Sequence, residues 1–298
     1  MPFKCIRFFA RSEAPRNVRF PDRPDLIFSD CEQDSPGPPQ EDDIRTNLTI
    51  VHTAAEPEID LVAVHGWKGH PQASWTSASG VNWLRDMLAQ DMPKLNIHSW
   101  GYSSPDSSCA GREPSMQALS QKLVSDLWQH RENSKTHELP LVFIAHSAGG
   151  SIVKGALLYS ASHPDEKFHG VKRSTCGVLY MGTPELDARL EGLASYLAIS
   201  GGAHAADDAY FKEASWLLHT LRGYEGISQD FRTVYGHEQG ANSVQTHVEG
   251  TRTARHIYLN TTHDEMNKYD SALDPGYENV RESVIWIAQG IRKDELPS

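Results

Sequence analysis

The sequence predicts an α/β fold with a mostly parallel central sheet and helices on both faces. Three observations carry this. Short apolar runs alternate with stretches of helical spacing from residue 48 onward. The apolar runs are nearly continuous rather than alternating, as strands buried on both faces require. The longest of them, 139–145, ends in a sharp Ala145-His146-Ser147-Ala148-Gly149-Gly150 turn and passes directly into helical spacing.

The elements follow in order. Residues 48–52 and 59–64 read as strands, the second running into His65-Gly66. Residues 83–88 look helical, with Asn82 as cap, and 95–102 is a third strand. Ser115 is a natural N-cap for a helix over 115–131 with Met116, Leu119, Leu123 and Leu127 on one face. The strand 141–145 comes next, then a helix burying Ile152, Val153, Ala156 and Leu157. Residues 177–181 form a strand stopped by Gly182-Thr183-Pro184. The last strands are 231–236 and 256–259, and a C-terminal helix aligns Val280, Val284, Ile287 and Ile291. Residues 185–229 interrupt the alternation. Their Leu193, Tyr196, Leu197, Phe211, Trp216 and Leu217 suit either a helical cap over the sheet edge or ordinary packing helices.

The chain has 298 residues and a formal net charge of -11. Such a surface repels phosphate backbones, so nucleic acid is not an expected partner. The longest apolar run falls far short of the roughly 20 residues that span a bilayer. Four scattered cysteines form no Cys-x-x-Cys pair and indicate neither a zinc site nor a disulfide framework. A cytoplasmic, reducing location is expected. The alternative is mitochondrial, since residues 1–20 are rich in Arg and poor in acids, although prolines interrupt any long helix there. Residues 1–44 read as a disordered or targeting arm, and 45–298 as the folded domain.

A serine between a buried strand and an amphipathic helix, with small residues two before and two after it, has the nucleophile-elbow pattern. Here these are Ala145, Ser147 and Gly149. Ser147 is therefore the expected nucleophile. The N–H of Ala148, at the start of a helix, is an expected oxyanion donor. A second donor should come from the loop after an earlier strand, and Gly66-Trp67 points to the Trp67 N–H. Fifteen histidines cannot be sorted by number, but a chain order of Ser, acid, His selects His263, after the last strand. The acid should follow the strand before the last. Glu238 fits, with Asp187 as the alternative. No metal or organic cofactor is needed.

Several stretches occur together and in order: Asp60 to Gly66, Ser74-Trp75-Thr76, Asn82-Trp83-Leu84, Gly101-Tyr102, Phe143 to Gly150 with Val153-Lys154, Met181 to Pro184, and His263 with Met266-Asn267-Lys268. Together they resemble the α/β-hydrolases of the serine-active-site-containing group. They are similar to the hydrolase modules fused to NACHT and ankyrin regions in fungal proteins, and more distantly to the GPI-inositol deacylases. The resemblance implies an α/β-hydrolase fold with Ser147 as nucleophile, His263 as base and Glu238 as acid. Ala148 stands where the family usually has leucine, and Glu185 where it usually has histidine. The expected activity is hydrolysis of a carboxylic ester or lipid-like acyl group through an acyl-enzyme, with a small-molecule or lipid-like ester as substrate. The alternatives are a biosynthetic acyltransferase or thioesterase using the same triad, and a non-catalytic signalling module of the same fold.

Overall fold

The computed structural model describes residues 46–67, 69–102, 114–183, 208–238 and 253–294. The N-terminal arm, Asp187 and most of the predicted cap lie outside them. Among the described residues seven strands form one sheet: β1 Thr46–His52, β2 Ile59–Val64, β3 Leu95–Tyr102, β4 Leu141–His146, β5 Thr175–Met181, β6 Arg232–Glu238 and β7 Ala254–Leu259. Their order is β1-β3-β2-β4-β5-β6-β7. Only β1 runs antiparallel to its neighbour.

Among the described residues four long helices flank the sheet: α1 Met116–Ser134, α2 Ala148–Ser162, α3 Asp208–Glu225 and α4 Pro275–Asp294. The pleat sorts the central strands between two cores. Val62, Val64, Phe143, Ala145, Val178 and Tyr180 face the layer containing Leu119, Leu123, Ile152 and Leu157 of α1 and α2. Leu61, Ala63, Val142, Ile144, Leu179 and Met181 face Leu84, Leu88, Val280, Val284 and Ile287. This is why the central strands read as unbroken apolar runs.

The N-caps behave as their residue types dictate. Ser115 Oγ accepts the Ala118 N–H at 3.1 Å, and Asn82 Oδ1 accepts the Arg85 N–H at 3.2 Å. The predicted helix at 83–88 is in fact a π-helical turn, Leu84–Leu88, leading into Ala89–Asp91. The strand predicted to end at Gly236 continues to Glu238, because His237 and Glu238 still pair with Tyr258 and Leu259 of β7.

The described part of 185–229 is mainly α3, and it packs as a core helix rather than as a cap. Leu217 is fully buried, and Trp216 reaches into the notch that Gly155 leaves on α2. A methyl group at Gly155 would stand 2.6 Å from that indole. An apolar face with a complementary groove beside it is spent on the core.

At the amino ends of the strands, Asp60 forms a buried ion pair with Arg131 of α1, Nε to Oδ2 at 3.2 Å. Asn96 Nδ2 donates to the other carboxylate oxygen at 2.9 Å. Arg131 also donates to the carbonyls of Thr136 and Leu139, tying the α1–β4 loop to the sheet.

Candidate active site

Parallel register brings the carboxyl ends of β2, β4, β5, β6 and β7 to one edge. Val64 pairs with Ala145, His146 with Met181, Met181 with Gly236, and Glu238 with Leu259. Ligands of open α/β sheets bind at this edge.

Ser147 lies between β4 and α2 with φ 51° and ψ −125°. It is one of two non-glycine residues with positive φ among those described. A Cβ makes this conformation costly, by about 1–3 kcal/mol, so its surroundings must impose it. They do. The Ser147 N–H donates to the Met181 carbonyl at 2.9 Å, and the Ser147 carbonyl accepts from Gly150 N–H and Thr183 Oγ1, each at 3.0 Å. Gly149 admits no side chain, because a methyl there would stand 2.5 Å from the Val64 and His65 carbonyl oxygens. The turn therefore presses directly against the end of β2.

The loop after β2 is the other wall. A methyl at Gly66 would stand 2.9 Å from Ser147 Cβ. His65, wholly buried, holds this loop with both ring nitrogens. Its Nδ1–H donates to the Gly66 carbonyl at 2.8 Å, and Nε2 accepts the Tyr102 N–H at 3.3 Å. The ring also stacks on Tyr102, with centroids 4.5 Å apart. Burial lowers the His65 pKa to about 4, so the ring stays neutral. Among the described residues neither the Trp67 nor the Ala148 backbone N–H has a protein acceptor.

His263 lies four residues past the end of β7. Its ring covers Gly182, where a methyl would stand 2.9 Å from Nδ1. Gly182 has φ 58°, a backbone that glycine adopts without cost, and follows the Met181 that binds Ser147. Glu238 Oε1 is 3.8 Å from His263 Nδ1, an ion-pair distance rather than a hydrogen bond. Both side chains are partly exposed, 38% for His263 and 53% for Glu238. Asp230 sits at the opposite end of β6, paired with Lys172.

Two contributors carried no signal that sequence reasoning used. Thr183 supports the serine carbonyl, and His146 Nε2–H donates to the His263 carbonyl at 2.9 Å. The His146–Ser147 adjacency was visible, but its partner is 117 residues away. Among the described residues no group of three or more His, Cys, Asp or Glu is placed to hold a metal ion. No described helix is long and apolar enough to cross a membrane.

The strand order, the strained serine and the histidine after the last strand define an α/β-hydrolase fold. The soluble monoglyceride lipase variant of Saccharomyces cerevisiae superposes with a TM-score of 0.51 at 12% identity, over 82% of this chain and 91% of that one. In sequence the chain is similar to Protein SERAC1. It is 29% identical to the zebrafish (Danio rerio) protein over 162 residues, 47% of this chain and 23% of the relative. It is 24% identical to the mouse (Mus musculus) protein over 183 residues, 55% of this chain and 27% of the relative. The matches thus span about a quarter of the length of these curated relatives. No protein-family model matches the chain.

Proposed function

We propose that the protein is a serine hydrolase that cleaves a carboxylic ester or lipid-like acyl group through an acyl-enzyme. The observation that carries this reading is the Ser147 backbone, strained at φ 51° on a strand-to-helix turn. Such strain persists only where neighbours enforce it, and it lifts a hydroxyl clear of the sheet.

In this reading Ser147 Oγ attacks the carbonyl carbon while His263 Nε2 takes its proton. Glu238 faces Nδ1, favours the Nδ1–H tautomer and offsets the imidazolium charge that develops. The 3.8 Å separation is an ion-pair contact that would tighten to a hydrogen bond as substrate excludes water. The negative charge on the former carbonyl oxygen would be met by the Trp67 and Ala148 N–H groups, with the α2 dipole behind the second. The Ser147 N–H cannot serve, because Met181 already accepts it. His263 then returns the proton to the leaving alcohol, and water repeats the sequence to release the acid. Among lipases, esterases and thioesterases the fold is common, so the leaving group and the acyl chain are read from substrates, not from the fold.

A fluorophosphonate probe tests the reading. The wild-type protein should be labelled at Ser147 and hydrolyse p-nitrophenyl esters. Ser147→Ala should lose both while keeping its circular dichroism. Labelling at another residue, or full turnover in the alanine variant, would overturn it.

A further inference from the structure

His146, the residue before Ser147, is not used by the proposed chemistry, yet it touches both walls of the site. It ends β4 and is 8% exposed. Its Nε2–H donates to the carbonyl of His263 at 2.9 Å, and the two rings lie 5.0 Å apart between centroids. Its Nδ1 faces the loop after β2, where a methyl at Gly66 would stand 3.2 Å away. Nε2–H is committed to that carbonyl, and burial lowers the pKa of the ring to about 4, so it stays neutral with the lone pair on Nδ1; His263, Asp264 and His65 are the charged or titratable groups that bear on it.

The His263 loop is fastened mainly beyond His263 itself. Met266 is fully buried, Trp83 Nε1–H donates to the Asn267 carbonyl at 2.8 Å, and Asn267 Nδ2 donates to the Ser74 carbonyl at 2.7 Å. Nearer the strand, Thr261 N–H donates to the Leu259 carbonyl, and Met266 and Glu265 N–H donate to the Thr262 carbonyl. Among the described residues the His263 carbonyl accepts only from His146. We infer that His146 is the positioning residue of the base. It fixes the main chain of His263, and hence the swing of its imidazole, from a point one peptide bond away from the nucleophile. Without it, the hydrogen-bonded ties from this loop to other parts of the fold begin at Met266 and Asn267, three and four residues on, and the main chain of His263 would have no side-chain tie of its own. With it, one rigid ring relates the two groups. The inference rests on the Ser147–His263 reading, but it is separable from it.

The test compares two side chains of similar size and reach. His146→Gln offers an amide N–H about where Nε2–H stands, and His146→Met offers none. The expected result is a fall in kcat of at least about tenfold for His146→Met, with KM within about twofold, since the loss is one of alignment rather than of binding. His146→Gln should recover most of that loss. His146→Asn, whose amide stops one carbon short, should resemble the methionine variant and serves if methionine does not fold. Equal activity in the Gln, Met and Asn variants, or a loss carried by KM alone, would overturn the inference while leaving wild-type labelling at Ser147 intact. A wild-type protein that fluorophosphonate does not label would overturn both readings.

Discussion

Ser147 pays for its position in backbone strain, and the size of that strain makes a prediction. Its φ of 51° suits glycine. Relief of about 1–3 kcal/mol, less the 0.5–1 kcal/mol that a glycine loses in chain entropy, leaves Ser147→Gly more stable by about 1 kcal/mol. Urea unfolding should show that gain together with complete loss of turnover, and a destabilised glycine variant would remove the strain argument. The acid is tested at the same scale. Glu238→Gln should lower kcat by at least about tenfold with little change in KM, because the amide no longer favours the required tautomer. Asp264→Asn, at an exposed neighbour of the base, should stay within about twofold of wild type. A silent Glu238→Gln with a damaging Asp187→Asn would move the acid to the segment after β5.

At the scale of elements, the most constrained contact is α2 against the end of β2. Gly149→Ala would push a methyl to 2.5 Å from two backbone carbonyls, and neither can yield without opening the sheet. The expected cost is at least about 3 kcal/mol, measured as a drop in the urea midpoint or as insoluble expression. Most of the elements could be read from sequence because each is local: continuous apolar runs mark the parallel strands, and Ser115 and Asn82 announce their helices. The failures are non-local. Nothing in 84–88 signals a π-turn. The last two residues of β6 belong to the strand only because β7 continues beside them. Trp216 and Leu217 have the composition of a cap, and only the notch at Gly155 makes them core. The site divides the same way. As candidates, Ser147 is legible from the turn between an apolar strand and a helix, His263 from chain order, and Glu238 from its place at the end of an apolar run. The carbonyl bond from His146 joins residues 117 apart and leaves no local pattern.

For the molecule as a whole, burying neutral histidines ties stability to pH. His65 and His146 both have pKa values lowered to about 4 by burial, and the His98 pKa is lowered by burial and by the neighbouring His130. In the unfolded chain these groups titrate near 6.5, so as pH falls the unfolded state takes up protons first. Their contribution is therefore intact above about pH 6.5 and is lost between there and about pH 4. For His65 and His146 the loss approaches roughly 3 kcal/mol each. Urea unfolding at pH 7.5, 6 and 5 should show a plateau and then a steep decline, whereas a flat profile would mean that these rings are not held neutral. The Asp60–Arg131 ion pair lies buried at the amino ends of the strands, with both side chains almost fully shielded from solvent. Asp60→Asn should cost about 3–5 kcal/mol, because it leaves the Arg131 guanidinium buried without its anion.

The loops around Ser147 are fastened mostly by their main chains. His65 binds the Gly66 carbonyl, His146 that of His263, Thr183 that of Ser147, Trp83 that of Asn267, and Asn267 that of Ser74. A carbonyl is the same acceptor whatever side chain its residue bears. Loop residues such as Asp264 and Glu265 can therefore drift in identity while the geometry beneath them stays put. Selection for a new substrate has free variables at the rim and a fixed frame below it. A library randomised at these two positions should stay largely folded while its preference among acyl esters spreads.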